Sequence, residues 1–357
     1  MSDCQRCSQF PDLESNGSLL FYSKNSGLQA NLKKDEIARL SDGISEEDRI
    51  VSINYSSYNQ IDQILNRVNQ LFTIDQKKAL LGSYSSSDNQ EQFINMAPFQ
   101  QFYERLQNRD YLTIINQRLF TQHLQPIVKL QKNNAEIFGY EFLVRQSTPS
   151  YPFFPSELFS YSQKAGLQAN LDSQARISSI ELSSKLLKNG TKRFINFLPS
   201  SIYDPAHCLK STFRAVEQFG VDPADLVFEV VETEKIDDIN HLKSIFKTYQ
   251  ENGIKLALDD LGAGFSTLDV LKELKPNFAK IDRNLIDYCD QYNVKQEKIK
   301  QIVQLAEDYN ITLLAEGIER KEEAEFCMDL GIPLAQGYYF GKPQAKPLQQ
   351  DLKLIKM

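Results

Sequence analysis

Hydrophobic and polar positions divide the chain into two parts with different patterns. Up to about residue 111 the apolar runs are short and lie between polar stretches such as Ser83–Asn89, and the runs Leu19–Tyr22 and Ile50–Ile53 predict short strands. Apolar residues recur at helical spacing from Ile61 to Phe72, and a further helical pattern begins at Pro98 and extends to Leu119. The first part is therefore predicted to be a small α+β module followed by a connecting helix.

Beyond this helix, short apolar runs alternate with longer amphipathic ones. Strands separated by helices indicate parallel βαβ units, and eight strands favour a closed TIM-like (β/α)8 barrel over a doubly wound open sheet. We predict one domain at residues 1–111 and a second at 112–357. The predicted strands are Ile127–Leu130, Tyr140–Val144, Arg193–Phe197, Val227–Glu232, Lys255–Leu258, Phe278–Ile281, Ile311–Ala315 and Leu334–Ala335, and the predicted helices are Asp237–Asn252, Phe265–Leu274, Val294–Asn310 and Lys321–Leu330.

Composition and charge narrow the function classes. The length of 357 residues accommodates a barrel of about 250 residues and a smaller module. A net charge of -7 argues against electrostatic binding to polymeric nucleic acid or to a membrane. We expect a cytoplasmic protein, because no apolar run approaches the roughly 20 residues that span a bilayer and the polar amino terminus does not resemble a signal peptide. Cys4 and Cys7 form a Cys-x-x-Cys pair, for which an incidental pairing is favoured over a zinc site.

The most informative stretch runs from Lys255 to Leu268, where two adjacent carboxylates, Asp259 and Asp260, end an apolar run and precede a glycine-rich turn. Neighbouring side chains in a regular strand face opposite sides, but at a strand end the backbone can direct both into one site. A divalent cation would offset the repulsion between the two charges. The alternative is that the aspartates cap the following helix.

Polar residues recur at the ends of the other predicted strands, which is where catalytic groups lie in a (β/α)8 barrel. Any one of them could belong to a structural ion pair, but their repetition at seven strand ends favours a shared site. Oxygen ligands without His or Cys favour Mg²⁺ or Mn²⁺ over zinc, and two such ions suit hydrolysis of a phosphodiester. The set consists of Glu141, Asn196, Glu229, Glu232, Asp259, Asp260, Lys280, Glu316, Glu319 and Gln336.

Seven short motifs contain these residues. They are Glu-Phe-Leu-Val-Arg (141–145), Asn196, Glu-Val-Val-Glu (229–232), Asp-Asp-Leu-Gly-Ala-Gly-Phe-Ser-Thr-Leu (259–268), Lys-Ile-Asp (280–282), Ala-Glu-Gly-Ile-Glu (315–319) and Gln-Gly-Tyr (336–338). In this order and spacing, from about Leu119 to Pro343, they resemble the motifs of the EAL-domain cyclic di-GMP phosphodiesterases. The resemblance implies a TIM-like barrel with an antiparallel first strand, a homodimer, and hydrolysis of cyclic di-GMP to linear pGpG with two Mg²⁺ or Mn²⁺ ions.

The resemblance also implies a role for each matching residue. One metal ion is expected to be bound by Glu141, Asn196, Glu229 and Asp259, and the second by Asp259, Asp260 and, through water, Glu316. Lys280 is expected to position the nucleophilic water and Gln336 to support the site. The expected substrate-binding residues are Gln125, Arg145 and Asp260, while Glu232 is expected to anchor the loop after Asp260 and Glu319 to be a supporting carboxylate.

Departures from the family pattern leave alternatives open. Phe142 replaces the Ala of the motif name, and four positions that in the family belong to or adjoin the loop after Asp260 carry Val231, Leu261, Ala263 and Phe265. This implies slower or partner-dependent turnover. The alternatives are a weak or inactive cyclic di-GMP receptor that signals through residues 1–111, where a regulatory protein could bind, and a partner-binding scaffold. The sequence contains no cyclase motif, so synthesis of cyclic di-GMP is not expected.

Overall fold

The computed structural model describes residues 12–86, 96–132, 134–230, 238–262 and 268–348. The chain forms two units, one of Met1–Phe120 with Gln146–Leu171 and the other of Thr121–Arg145 with Asp172–Met357. The chain therefore leaves the second unit after Arg145 and returns to it at Asp172. The predicted division at residues 111 and 112 remains our proposal for the two functional modules.

The first unit contains an antiparallel sheet with helices, as predicted. Its strands are β1 (Gly17–Tyr22), β2 (Gly43–Glu47), β3 (Ile50–Tyr55), β4 (Leu81–Ser86) and β5 (Ala97–Pro98), in the order β2-β3-β1-β4-β5. Its helices are α1 (Ser26–Leu32), α2 (Asp35–Ala38), α3 (Tyr58–Leu71), α4 (Ile74–Lys78), α5 (Phe99–Gln107), α6 (Arg109–Gln117) and α7 (Pro155–Lys164). The helix α3 buries Ile61, Ile64, Leu65 and Val68, as its apolar spacing predicts.

Two local features of this unit were not predicted from the sequence. Part of the polar stretch 83–89 belongs to β4, which pairs with β1 and β5 and buries Ser83. Gly82 lies so close to the ring of Phe102 that any larger residue would overlap it, so close packing rather than apolar sequence defines this strand. The predicted connecting helix is two helices, α5 and α6, separated by Asn108, whose φ of -120° and ψ of 54° are not helical.

The second unit is a closed eight-stranded barrel, which confirms the predicted fold class. Its strand order is β10-β11-β12-β13-β6-β7-β8-β9, and β6 runs antiparallel to β13, as the family resemblance implied for the first strand. The strands are β6 (Phe120–Gln131), β7 (Asn134–Gln146), β8 (Lys192–Phe197), β9 (Leu226–Val230), β10 (Lys255–Leu261), β11 (Phe278–Ile281), β12 (Thr312–Ala315) and β13 (Leu334–Gln336).

Helices follow or connect these strands. They are α8 (Gln168–Leu186), α9 (Pro205–Cys208), α10 (Lys210–Phe219), α11 (Ile239–Glu251), α12 (Leu268–Leu274), α13 (Arg283–Ile286), α14 (Asn293–Tyr309) and α15 (Lys321–Asp329), with 3-10 turns at Pro199–Ser201 and Pro223–Asp225. Among the helices that the structure describes, none has the length and apolar character to cross a lipid bilayer.

The interior of the barrel is closed by one layer of apolar side chains. Seven of the strands contribute one residue each, and burying a large side chain of this kind stabilises the fold by about 1.5–3 kcal/mol. A separate and larger apolar core lies between the strands and the surrounding helices. The interior layer consists of Ile127, Phe194, Val227, Ala257, Phe278, Leu314 and Leu334.

Candidate active site

A polar layer follows the apolar layer inside the barrel. Side chains two positions apart on a strand share a face, so Asn196 points to the same side as Phe194, and Lys280 to the same side as Phe278. The same two-residue step places Glu229, Asp259 and Gln336 in this layer. Because β6 is antiparallel, the step there runs backwards from Ile127 and adds Gln125, while Glu316 directly follows β12. The strand periodicity therefore aligns most of the predicted site residues.

A bulge explains how Asp259 and Asp260 both reach the site. Leu258 pairs with Ala279 and Leu261 with Ile281, so the two aspartates lie opposite Lys280 alone. Asp260 has a left-handed backbone with φ of 54°, and its N–H donates to Asp259 Oδ1 at 3.0 Å. Such a bulge redirects side chains locally. Both aspartates thus belong to β10, and the described part of α12 begins eight residues after Asp260, at Leu268.

Lys280 lies at the centre of four carboxylates. Its Nζ is 2.7 Å from Glu316 Oε1, 3.0 Å from Asp259 Oδ1, 3.1 Å from Glu229 Oε1 and 3.7 Å from Glu141 Oε2. The Lys280 side chain is only 1% exposed. One ammonium group therefore faces four acidic groups, and the structure brings together residues that are 175 positions apart in the sequence, from Glu141 to Glu316.

Two amides hold Glu141 in place. Asn196 Nδ2 donates to Glu141 Oε1 at 3.0 Å, and Gln336 Nε2 donates to Glu141 Oε2 at 2.7 Å. An ionised carboxylate only accepts hydrogen bonds, so each amide must present its NH₂ group to Glu141 and keep its oxygen for another partner. The two amide oxygens, Asn196 Oδ1 and Gln336 Oε1, are buried and accept no hydrogen bond from the described residues.

The electrostatics of the group shift several pKa values. Burial raises the pKa of Glu229 and Glu316 well above the ordinary value, and the neighbouring carboxylates add to the effect of burial against the attraction of Lys280. The pKa of Asp259 is also raised, mainly by burial. Burial alone lowers the pKa of Lys280, but the four carboxylates outweigh it and raise that pKa well above its usual value. Lys280 is therefore an ammonium ion at neutral pH.

These donors fit a hard divalent cation. One carboxylate oxygen each from Asp259, Asp260 and Glu316 lie within 4.8 Å of one another, an arrangement that could hold a metal ion. Within the described part of the chain, Asn196 Oδ1 and both oxygens of Glu229 are buried acceptors that receive no hydrogen bond, although Glu229 Oε1 is 3.1 Å from Lys280 Nζ. Oxygen donors in such an acidic group suit Mg²⁺ or Mn²⁺.

The remaining predicted residues have other surroundings. Gln125 and Arg145 are half-buried, and Arg145 Nη1 donates to the carbonyl of Val144 at 2.7 Å. Glu319 is 46% exposed and pairs with Arg283 at 2.6 Å, which is a surface contact rather than a contact with the carboxylates around Lys280. Residues 4, 7, 231, 232, 263 and 265 lie outside the described residues, and Leu261 is buried at the end of β10.

The sequence reasoning missed two supporting carboxylates. Glu323 is 1% exposed and accepts the backbone N–H groups of Tyr288, Glu319 and Arg320, which fixes the loop that follows Glu316. Asp172 is 3% exposed on α8 and accepts the N–H of Leu198 in the loop after β8. Asp172 lies four positions before Arg176 on α8, and Glu323 lies three positions after Arg320, the residue that precedes α15. This spacing indicates a local ion pair but does not reveal which loop the carboxylate contacts.

Comparison with known proteins gives a consistent assignment. The EAL domain model matches residues 105–343. The chain is 30% identical over 237 residues to the probable cyclic di-GMP phosphodiesterase PdeG of Escherichia coli K12, covering 64% of this chain and 45% of PdeG. It is 26% identical over 228 residues to the cyclic di-GMP phosphodiesterase PdeL of the same organism, covering 63% of this chain and 62% of PdeL. The chain thus matches only part of the length of these relatives.

A solved structure shares the fold. A standalone EAL protein from Vibrio cholerae O395, crystallised in a form bound to cyclic di-GMP, is 35% identical to this chain with a TM-score of 0.58. The match covers 64% of this chain and 94% of that protein.

Proposed function

Because this chain belongs to the EAL-domain family, we propose that it hydrolyses cyclic di-GMP to linear pGpG with two Mg²⁺ or Mn²⁺ ions. The observation that carries the proposal is the acidic layer around Lys280, in which four buried or half-buried carboxylates share one ammonium group. An excess of buried negative charge lowers the stability of a fold unless cations bind to it. Such an excess is therefore an indication of a functional site. The names of the relatives that match this region support a cyclic di-GMP phosphodiesterase.

The proposed metal ligands follow the geometry of the layer. Glu141, Asn196, Glu229 and Asp259 would hold one ion, and Asp259, Asp260 and Glu316 the other. When bound, the ions would polarise the phosphate and lower the pKa of a water molecule. The two amides that donate to Glu141 orient it, and this leaves their own oxygens available, so Asn196 is suited to direct ligation and Gln336 to support.

Lys280 has a separate part in this proposal. Since its raised pKa keeps it protonated, it is suited to donate hydrogen bonds to the attacking water and to stabilise developing negative charge, not to act as a base. In the reaction the water oxygen attacks phosphorus, the bond from phosphorus to a ribose 3′ oxygen breaks, and that oxygen takes up a proton. Gln125 and Arg145 are proposed to contact the nucleotide, where a guanidinium suits a phosphate oxygen or a guanine edge.

The test is incubation of the purified chain with cyclic di-GMP and Mg²⁺ or Mn²⁺, with the products separated by chromatography. We expect pGpG to accumulate, and Glu141→Gln, which replaces an accepting oxygen with a donor, to abolish its formation. Glu273→Gln is the matched control, because this carboxylate pairs with Lys243 at the surface and its loss should leave most of the turnover. Intact nucleotide after long incubation of folded protein would contradict hydrolysis, and binding without product would favour the receptor alternative.

The proposal also includes a homodimer, a cytoplasmic location and regulation through residues 1–111. The altered residues Val231, Ala263 and Phe265 make turnover that depends on assembly or on a regulatory partner a specific expectation. Turnover per chain measured across a dilution series, beside the mass of the particle in solution, tests this point. Constant turnover while a dimer dissociates would contradict it.

A further inference from the structure

A buried ion pair lies on α8, close to the loop that follows β8. Asp172 and Arg176 are one helical turn apart and in contact, with side chains 4% and 2% exposed. Both oxygens of Asp172 have partners, since Oδ1 accepts the N–H of Leu198 at 3.0 Å and Oδ2 contacts Arg176 and the hydroxyl of Ser201. Arg176 Nε also reaches Thr212 Oγ1 on α10 at 3.4 Å. The pair therefore ties a helix to the loop at the carboxyl end of β8.

This loop begins two residues after a proposed metal ligand, Asn196. Asn196 is the cross-strand partner of Glu229, so the two side chains are neighbours inside the barrel. The next residue on β8, Phe197, and the residue before Glu229, Phe228, pack on the outer face against Tyr249, whose ring is 5.5 Å from Phe197 and 4.6 Å from Phe228. Aromatic packing fixes the strands from outside, while the backbone beyond Phe197 depends on Asp172.

We propose that Asp172 is a positioning residue for metal binding, which acts by fixing the backbone beyond Asn196 and does not itself touch metal or substrate. The inference rests on the proposed function. Among the residues that the structure describes, the Asn196 side chain has one hydrogen-bond partner, Glu141, to which Nδ2 donates, and Oδ1 is the atom available to a cation. A small movement at the end of β8 would displace this oxygen relative to Glu229. Residues that orient metal ligands in this indirect way typically change metal affinity about 10–100-fold.

An ion pair of the same kind at the opposite end of the same strand provides a control. Asp225 contacts Lys192 at 2.8 Å and Arg193 at 3.2 Å and accepts the N–H of Gly190 at 2.6 Å. Its side chain is 4% exposed, as is that of Asp172. The control is therefore matched in burial, has Lys192 as a second cation, and lies at the amino end of β8, away from the polar layer.

The experiment compares two double variants in which each pair is replaced by apolar residues. Asp172→Leu with Arg176→Met removes the acceptor for Leu198 without leaving a buried arginine alone, and such replacements of whole ion pairs are often tolerated. Asp225→Leu with Arg193→Met is the control. Mn²⁺ affinity is measured by calorimetry on the full chain without nucleotide, at a temperature where circular dichroism shows each variant folded.

We expect Mn²⁺ binding to be about tenfold weaker in the Asp172 variant and unchanged in the control. At saturating Mn²⁺ the Asp172 variant should recover most of the wild-type kcat for cyclic di-GMP, because Asp172 does not contact the nucleotide. Unchanged Mn²⁺ affinity, or an equal loss in both variants, would overturn the positioning role. If wild-type protein binds no Mn²⁺, the proposed function fails and this inference fails with it.

A milder variant keeps the inference testable if the Asp172 double variant does not fold. Ser201→Ala removes the hydroxyl that contacts Asp172 Oδ2 and leaves the ion pair intact. We expect about threefold weaker Mn²⁺ binding, which is less than the roughly 10–100-fold loss that follows complete removal of a group supporting a metal ligand. Wild-type affinity in Ser201→Ala would overturn the inference in that case.

Discussion

Strands β8 and β9 have buried charges at both ends, with more cations than carboxylates at the amino end and more carboxylates than cations at the carboxyl end. At the amino end, Asp225 has two positive neighbours, Lys192 and Arg193, and a backbone N–H donor. At the carboxyl end, Glu229 is one of four carboxylates that surround the single ammonium group of Lys280. Arg193 and Lys280 are equally buried, each with 1% of the side chain exposed. Burial therefore does not distinguish the two ends, whereas the balance of charge does.

The pKa shifts follow this balance. Burial acts to raise the pKa of Asp225, but the hydrogen bonds from Lys192 and Gly190 and the two positive charges outweigh it, so the pKa is lowered. For Glu229 burial also raises the pKa, and the nearby carboxylates raise it further despite Lys280. A compensated carboxylate supports the fold, while uncompensated ones lower its stability. The comparison teaches that the carboxyl end has been kept acidic at the expense of stability, which is the pattern expected for a cation site.

The largest expected effect comes from removing the central cation at each end. Lys280→Met should reduce pGpG formation on the order of 10²–10³-fold, as expected when a donor that stabilises developing negative charge is lost. Arg193→Met should reduce the free energy of unfolding by about 1.5–3 kcal/mol, because Asp225 loses one charged donor but keeps Lys192 and the N–H of Gly190, with kcat little changed in the folded protein. Product chromatography and denaturant unfolding give the two quantities.

The stabilisation that Mg²⁺ provides to each of these two variants gives a further test of the difference between the ends. Without the ammonium group the four carboxylates attract a cation more strongly, so Mg²⁺ should stabilise Lys280→Met by more than it stabilises wild-type protein. Arg193→Met retains the proposed site and should gain the same Mg²⁺ increment as wild type. Equal increments in the two variants would contradict the difference that we draw between the ends.

A smaller effect is expected from neutralising one carboxylate. Glu229→Gln should raise the free energy of unfolding in EDTA by about 1–2 kcal/mol, since a buried charge that the fold disfavours is replaced by a neutral group of similar size. In Mg²⁺ the variant should be less stable than wild type, because it has lost a proposed ligand and gains less from the metal. Denaturant titrations in both media provide the measurement. If the variant is less stable than wild type in EDTA, the Glu229 charge stabilises the fold as the charge of Asp225 does, and the contrast between the two ends fails.

Much of this acidic end could be predicted from the sequence. Glu141, Glu229 and Lys280 each stand within or directly after a short apolar run, and a barrel brings strand ends together whatever their separation in the chain. The bulge at Asp259 and Asp260 could not be predicted, because it depends on the pairing of β10 with β11. Local patterns do not encode pairings between strands, so the members of the group could be predicted from the sequence but the distances between them could not.

The parts that sequence reasoning missed depend on tertiary contacts. The strand β4 is polar and is defined by its neighbours, β1 and β5, and not by an apolar run. Residues 146–171 follow a barrel strand but fold with the first unit, where Arg105 Nε donates to the carbonyl of Ala165 at 2.8 Å. Asp172 carries no local sign of its contact with Leu198. Each of these features joins segments that are distant in sequence.

The smallest expected effect is on the pH dependence of stability in EDTA, where the two ends should act in opposite directions. Asp225 has a folded pKa below its usual value of 3.8, so its contribution is complete above that value and is lost as the pH falls towards the lowered pKa. Glu229 has a raised folded pKa, so its unfavourable contribution at neutral pH disappears as the pH falls through that pKa. Asp225→Asn should therefore lose less stability than wild type on acidification, and Glu229→Gln should gain less. Urea unfolding at a series of pH values measures both, and curves of both variants that run parallel to wild type would show that neither balance of charge affects folding.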